Sequence, residues 1–200
     1  MSAFNSDTFM EERFLWLKEH FNINMVIETG TYRGETAKWL GENFEAVRTI
    51  ESNVEHYNIS QQVLKDSPNV EMYKGDSSTD LVNMVRAIGG SNVLFFLDAH
   101  WYKNPVLDEL IQISMIYRNS AMEGKKPVIA IHDFQVPDHP ELGFDEYPAQ
   151  GIVYNWEWIK SYVEKIYGGV EGQAFQISYN SQATGSMRGC IFITPLDIQI

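Results

Sequence analysis

The feature that most restricts the fold of this 200-residue chain is a repeated alternation of short apolar segments with longer segments of helical periodicity. Each short segment has the length of a buried strand, and a helix-like segment follows it. The expected strands are residues 24–28, 47–51, 70–74, 92–97 and 128–131. This pattern predicts a doubly wound α/β fold, in which right-handed crossovers connect the strands of a mostly parallel sheet.

Two further strands are expected near the C-terminus, at residues 175–179 and 190–194. No helix pattern separates them, so we expect a C-terminal antiparallel pair at one edge of the sheet. The sheet then has seven strands. Residues 1–200 are expected to form a single domain, with residues 1–22 as an N-terminal helical extension.

Capping residues indicate where the helices begin. Thr8 and Glu11 have the spacing of a capping box for a helix over residues 9–20, and Asn53 is expected to cap a helix over residues 54–65. The other expected helices are residues 34–43, 78–88 with Ser78 or Thr79 as the cap, 105–118 with Asn104 as the cap, and 152–167.

The turn after the first strand has the pattern Glu-x-Gly-x-x-x-Gly, formed by Glu28, Gly30 and Gly34. Glycines allow a tight turn and a close approach of backbone or ligand. The following helix directs its first N–H groups and its positive dipole end towards that ligand. The spacing is neither that of the dinucleotide fingerprint nor that of the phosphate-binding loop. It predicts a ligand-binding strand–turn–helix unit.

Acidic residues end the next two strands, at the edge where open α/β sheets bind ligands. Glu51 follows Gly30 by 21 residues, close to the spacing of the ribose-binding acid in nucleotide folds. Its two oxygens could accept hydrogen bonds from both ribose hydroxyls; the alternative is a solvated strand-end carboxylate. Asp76 and Ser77 end the third strand, where they contact a base or simply cap the next helix.

A second group of polar residues follows the fourth and fifth strands. Asp98 and His100 come directly after an apolar run, and His132 and Asp133 follow the fifth strand. Strands one, four and five are neighbours in a doubly wound sheet, so these side chains should converge. Two carboxylates and two imidazoles suit either a divalent metal site or general-base chemistry.

The glycine turn, the strand-end acids and the terminal strand pair together resemble class I S-adenosylmethionine-dependent methyltransferases. The resemblance implies a Rossmann-like fold and S-adenosylmethionine as cofactor. The residues that it assigns to cofactor binding are Glu28, Gly30, Thr31, Tyr32, Gly34, Glu51, Ser52, Asp76, Ser77 and Asp98.

The groups after strands four and five are similar to those of small O-methyltransferases of the macrocin and catechol types. By that resemblance Asp98, His100 and Asp133 bind a divalent metal, Mg²⁺ or Mn²⁺, and Asp98, His100 and His132 are the catalytic residues. The chain departs from those families because histidines stand where a second acid is common. Mg²⁺ prefers oxygen ligands, so Mn²⁺, Fe²⁺ or no metal remain alternatives.

The implied reaction is methyl transfer to an oxygen of a small-molecule or sugar acceptor. The long segment over residues 133–150 is expected to cover that acceptor. One alternative is a hydroxylase of the cephalosporin-hydroxylase type, which shares an Asp-His after strand four. A nicotinamide-dependent oxidoreductase explains Glu51 but not the glycine turn. A non-catalytic nucleotide-binding module on the same fold is the fourth possibility.

Composition limits the partners and the compartment. The net charge of −12 argues against nucleic acid as a partner, because phosphate backbones attract basic surfaces. No apolar run is long enough to span a membrane and no signal peptide is evident. The single cysteine, Cys190, fits a buried thiol in a cytoplasmic protein. The aromatic residues between 154 and 167 are expected to belong to the core or to a homodimer interface.

Overall fold

The structure, a computed structural model, describes residues 2–85, 88–100, 104–118, 122 and 124–196. Its strands are β1 Met25–Thr29, β2 Ala46–Glu51, β3 Val70–Lys74, β4 Val93–Leu97, β5 Val128–His132, β6 Glu146–Tyr147, β7 Ile152–Val153, β8 Phe175–Tyr179 and β9 Cys190–Pro195. Its helices are α1 Thr8–His20, α2 Glu35–Asn43, α3 Val54–Val63, α4 Ser77–Met84, α5 Val106–Tyr117 and α6 Trp156–Tyr167. Short 3₁₀ turns cover Ala3–Ser6 and Pro148–Gln150.

Seven strands form one sheet in the order β3-β2-β1-β4-β5-β9-β8. The first five strands are parallel, and β9 runs antiparallel to both β5 and β8. The predicted fold class is therefore confirmed, including the C-terminal antiparallel pair. The strand order reverses between β1 and β4, and ligands of doubly wound sheets bind beyond the carboxyl ends of the strands at such a point.

Two apolar layers enclose the sheet. Alternate residues of a strand point to opposite faces, and adjacent Phe95 and Phe96 accordingly contribute to different clusters. One layer contains residues of α4, α5 and α6, and the other contains residues of α1 and α2. Full burial of one such side chain stabilises the fold by about 1.5–3 kcal/mol. Because β4 and β5 are buried along their whole length, they form a rigid base for the residues that follow them.

Four of the predicted helix starts are wrong. Asp7, not Thr8, caps α1, since its carboxylate accepts from the N–H groups of Phe9 and Met10. Asp76, not Ser78 or Thr79, caps α4. In each case a carboxylate one or two residues upstream is a charged acceptor aimed at the positive end of the helix.

The other two incorrect starts are those of α5 and α6. Pro105, rather than Asn104, stands at the N-cap position of α5. The helix α6 begins at Trp156 after an Asn155 cap, because Ile152–Val153 pairs with Glu146–Tyr147 as a small hairpin instead. The predicted Asn53 cap of α3 is confirmed. Among the described residues, the helices are too short or too polar to cross a bilayer.

Candidate functional site

Gly30 lies where the loop after β1 presses against the end of β4. Its φ of +84° is a left-handed conformation, and a Cβ there would lie 2.4 Å from the carbonyl oxygen of Asp98. Gly34 also has a positive φ, +88°, and forms the N-terminal boundary of α2. Glycine is required at position 30 because the facing atoms are backbone and cannot move aside.

Glu28 lies beneath this loop and is almost completely buried. The hydroxyl of Thr49 donates to its carboxyl group, and the hydroxyls of Thr49 and Thr31 lie 2.5 Å apart. Burial is the main reason that the pKa of Glu28 is raised to about 8. Glu28 therefore supports the loop from below in a mostly protonated state at neutral pH.

A cavity of about 430 Å³ opens at the carboxyl ends of β1, β2, β3 and β4, a size typical of small-molecule sites. Eight of the ten predicted cofactor residues line it: Gly30, Thr31, Tyr32, Glu51, Ser52, Asp76, Ser77 and Asp98. The other two, Glu28 and Gly34, lie behind the wall. The described residues that line the cavity include no lysine or arginine.

Glu51 is held rigidly at the wall of the cavity. One carboxylate oxygen accepts from the N–H of Tyr32 at 2.8 Å, and the other accepts from the N–H of Asn53 at 2.7 Å. Each oxygen keeps a second acceptor position. The carboxylate can therefore accept two further hydrogen bonds, which is the requirement for binding a pair of vicinal hydroxyls.

Asp76 caps α4, which is one of its two expected roles, and it also lines the cavity. Its carboxylate accepts from the N–H and the hydroxyl of Ser78, at 3.1 and 2.7 Å. The N–H of Asp76 in turn donates to the carboxylate of Asp80. These contacts fix the carboxylate at the entrance to α4.

Several lining residues were not singled out from the sequence. His56, in the first turn of α3, contacts the ring of Tyr32 with the ring centroids 4.5 Å apart. Ser2 and Asn5 reach the cavity from the N-terminal segment, which is anchored by the buried Phe4. His56 follows the end of a strand, and that position could have identified it from the sequence. The position of the N-terminal segment, in contrast, depends on tertiary packing alone.

The polar residues after β4 and β5 converge as expected. His100 Nε2 lies 3.0 Å from Asp133 Oδ2, and His132 Nδ1 lies 3.1 Å from Asp98 Oδ1. Both imidazoles are buried, whereas Asp98 and Asp133 line the cavity. The carboxylates therefore face the ligand space and the imidazoles stand behind them. Trp101 and Tyr102, which follow in the strand-four motif, lie outside the described residues.

Two charged residues that sequence reasoning missed complete this cluster. Arg188, in the loop between β8 and β9, donates from Nε to Asp133 and from a terminal nitrogen to Asp145. Asp145 Oδ2 is also 4.0 Å from His100 Nε2. The sequence separation of Arg188 from its partners is large, and no local pattern indicates the pairing.

The carboxylates change the proton affinity of the imidazoles. Burial lowers the pKa of His132, but Asp98 and Asp133 outweigh it, so the net pKa lies well above its usual value. The pKa of His100 is also raised, since Asp133, Asp98 and Asp145 together outweigh burial. The pKa of Asp133 is lowered, because His132 and His100 outweigh its burial. The carboxylates therefore make both imidazoles more basic than an ordinary histidine.

The segment over residues 133–150 folds back over the cluster. The N–H of Asp145 donates to the carbonyl of Asp133 at 2.8 Å, and the hydroxyl of Tyr147 donates to the carbonyl of His100. The ring of Tyr154 packs edge-on against His100 with the centroids 5.0 Å apart. This segment is more ordered than the predicted irregular loop, because the β6–β7 hairpin forms within and beside it.

The donors do not fit a divalent metal as they are arranged. The possible ligand atoms form two groups of three, one of Asp98, His132 and Asp133 and the other of His100, Asp133 and Asp145, and Asp133 belongs to both. Both oxygens of Asp133 already accept from cationic donors, among them the guanidinium of Arg188. A metal ligand needs a free lone pair, and a cation next to the site opposes a second cation.

Comparison with solved structures identifies the architecture. A protein described as a caffeoyl-CoA O-methyltransferase from Staphylococcus aureus superposes with a TM-score of 0.62 at 14% identity, covering 94% of this chain and 83% of that one. An O-methyltransferase from Bacillus cereus, in complex with S-adenosylhomocysteine, gives a TM-score of 0.57 at 18% identity, with 94% and 81% covered. The chain has the Rossmann-like methyltransferase fold.

Neighbours with the methyltransferase fold include more than one kind of enzyme. An rRNA methylase from Streptococcus thermophilus superposes with a TM-score of 0.55 at 15% identity, covering 94% of this chain and 95% of that one. No protein-family model matches the sequence, and no curated protein matches it. At these identities the structures establish the fold alone, so the function has to be argued from the cavity.

Proposed function

We propose that the protein is an S-adenosylmethionine-dependent methyltransferase that methylates an oxygen of a small-molecule or sugar acceptor. The observation that carries the proposal is one cavity whose wall contains both the glycine turn with Glu51 and the carboxylates of Asp98 and Asp133. Cofactor and acceptor groups thus share one space. The O-methyltransferase neighbours are consistent with this reaction.

The cofactor fits the chemistry of the cavity wall. Glu51 offers its two remaining acceptor positions to the ribose hydroxyls, and Asp76 and Ser77 stand where the adenine would lie. The acidic lining suits a ligand that carries positive charge. When bound, S-adenosylmethionine supplies a methyl group on a sulfonium; transfer forms the C–O bond as the C–S bond breaks, and the electron pair remains on the sulfur.

The residues of the chain would orient the acceptor and take its proton. Asp98 faces the cavity and accepts the proton of the acceptor hydroxyl as the new bond forms. His132 Nδ1 donates to Asp98 Oδ1 and holds the carboxylate in that orientation. His100 does the same for Asp133. Positioning of the oxygen for in-line attack then accounts for most of the rate gain.

The remaining predictions from the sequence form part of the proposal. The segment over residues 133–150 would cover the acceptor, and residues 1–200 would act as one cytoplasmic domain. Assistance by Mg²⁺ or Mn²⁺ has the least support, because the guanidinium of Arg188 bridges Asp133 and Asp145. The homodimer stays a prediction.

Calorimetric titration with S-adenosylhomocysteine tests the proposal. We expect saturable binding, and we expect Glu51→Gln to weaken it by about tenfold to a hundredfold, since a hydrogen bond to a charged group contributes about 1.5–3 kcal/mol. Glu55→Gln is the matched control, because Glu55 is exposed on α3 and does not line the cavity. It should leave the affinity unchanged.

Titration with other ligands distinguishes the alternative functions. Binding of a nicotinamide dinucleotide in place of S-adenosylhomocysteine would favour the oxidoreductase. No binding of either ligand at millimolar concentration would eliminate the proposed cofactor. Equal affinity of the Glu51→Gln and wild-type proteins would remove Glu51 from the binding site while leaving the cofactor in place.

A further inference from the structure

Arg188 joins two carboxylates of the acid–histidine cluster, those of Asp133 and Asp145. Its Nε donates to Asp133 Oδ1 and a terminal nitrogen donates to Asp145 Oδ1, so one guanidinium bridges two carboxylates. The planar fork of arginine suits such bridging, and charge-assisted hydrogen bonds of this kind are among the stronger ones in proteins. The three side chains are mostly shielded from solvent, with 29% of Arg188, 13% of Asp133 and 22% of Asp145 exposed.

The fold is shaped to place this guanidinium. The N–H of Gly143 donates to the carbonyl of Met187 at 2.8 Å, and the N–H of Gly189 donates to the carbonyl of Gly143 at 2.9 Å. This backbone ladder joins the 133–150 segment to the β8–β9 loop. A Cβ at Gly143 would lie 2.8 Å from a terminal nitrogen of Arg188 and 3.0 Å from its Cδ. The glycine therefore leaves the space through which the arginine side chain reaches the carboxylates.

Donor groups already surround the carboxylates of the cluster. Arg188 contacts Asp133 and Asp145, and His132 Nδ1 lies 3.1 Å from Asp98 Oδ1. Asp133 has Oδ1 in contact with Arg188 and Oδ2 3.0 Å from His100. A divalent ion bound to Asp133 would have to displace these donors and would lie next to a guanidinium, and both are unfavourable.

We propose that Arg188 takes the place of a divalent cation in this cluster, orienting Asp133 and Asp145 so that the site binds no divalent metal. Arg188 is thus a positioning residue that acts through the two carboxylates. Its relevance to methyl transfer rests on the function proposed above, whereas its effect on metal binding does not.

Titration of the cofactor-free protein with Mn²⁺, followed by electron paramagnetic resonance of the free ion, tests the proposal. The wild type should show no binding with a Kd below about 1 mM. Arg188→Met keeps the apolar stem but removes the charge, and it should create a Mn²⁺ site at least about tenfold tighter than in the wild type. Adding Asp133→Asn to that variant should abolish the new site.

Two further variants serve as controls for the expected gain in Mn²⁺ affinity. One tests the loss of a different arginine, and the other applies if the first variant does not fold. Arg48→Met is the matched control, because Arg48 also pairs with a carboxylate, that of the exposed Glu71, at 2.9 Å. It should create no Mn²⁺ site. If circular dichroism shows that Arg188→Met does not fold, Arg188→Gln replaces it, since the amide lacks the positive charge but can still donate hydrogen bonds to the carboxylates.

Two results overturn the proposal. One is Mn²⁺ binding to the wild type with a Kd below about 1 mM that Asp133→Asn abolishes. The other is a folded Arg188→Met or Arg188→Gln protein that gains no Mn²⁺ affinity. Because the titration uses protein without cofactor, a failure to bind S-adenosylhomocysteine would contradict the proposed function and leave this result intact.

Discussion

At the scale of single residues, the glycine turn has two separate structural requirements. Gly30 lies against the backbone of Asp98, so it joins the loop after β1 to the end of β4. Glu28 supports the same loop from beneath through Thr49 and Thr31. Neither residue needs to touch a ligand to be essential to the site, because each sets the position of atoms that do.

Gly30→Ala should destabilise the protein by about 2–4 kcal/mol, since left-handed backbone and a clash with rigid neighbours both oppose the methyl group. Urea unfolding measures the change. Gly89→Ala is the control, because no atom lies within 4 Å of a Cβ there and its φ is not in the left-handed region. Equal stability of the two variants would mean that the loop does not press against β4 in solution.

The raised pKa of Glu28 predicts a pH dependence. Its pKa is about 8 in the folded protein and near 4.5 when unperturbed, so between these values the folded state binds a proton that the unfolded state does not. Stability therefore falls as pH rises through this range, by up to about 1.4 kcal/mol per pH unit. Glu28→Gln cannot ionise and should flatten the curve.

Urea unfolding of the wild type and Glu28→Gln at several pH values from 5 to 8 measures that difference. Other groups with raised pKa values, such as Glu109 at about 7, are present in both proteins and cancel in the comparison. Parallel stability curves would show that Glu28 is ionised in the folded protein.

At the scale of elements, carboxylates determine where helices begin. Asp7 caps α1 and also accepts from Asn180 Nδ2 at 2.8 Å and from the N–H of Thr184 at 3.2 Å. The start of α1 is thereby tied to the loop between β8 and β9. The same loop contains Arg188, so the cap of the first helix helps to fix the residue that contacts the acid–histidine cluster.

Asp7→Ala should therefore cost about 2–4 kcal/mol, more than a helix cap alone, because buried donors lose a charged acceptor. Thr8→Ala, the change at the cap position indicated by the sequence, should cost less than about 1 kcal/mol. Thermal or urea unfolding compares the two proteins. A larger loss for Thr8→Ala would reverse the assignment of the cap.

At the scale of the whole molecule, charge limits what can bind. The chain has a net charge of −12, and the described residues that line the cavity are neutral or acidic apart from His56. Although an rRNA methylase shares the fold, an acidic protein gains nothing from the release of counterions that drives binding to phosphate backbones. We therefore keep a small molecule as the expected acceptor.

Fluorescence anisotropy with a labelled RNA hairpin tests this expectation. At physiological salt we expect no binding tighter than about 100 µM, the weak limit of non-specific nucleic-acid binding. Salt-dependent binding in the low micromolar range would instead indicate a basic surface and would favour an RNA acceptor.

The sequence alone was sufficient to predict the parallel sheet, its terminal antiparallel pair and the strand ends that carry acidic residues. Apolar periodicity is a local property, and in a parallel sheet it also fixes which ends of the strands meet. The convergence of Asp98, His100, His132 and Asp133 followed from that rule.

Only the tertiary structure decided which charges pair. Arg188 lies 55 residues from Asp133 and 43 from Asp145, and it reaches them because two loops join beside Gly143. A long side chain in a loop has no periodic pattern, so its partner depends on where distant segments pack. The resemblance of the sequence implied a metal at this cluster, with no metal as an alternative, and gave no sign that packing brings a guanidinium against two of its carboxylates.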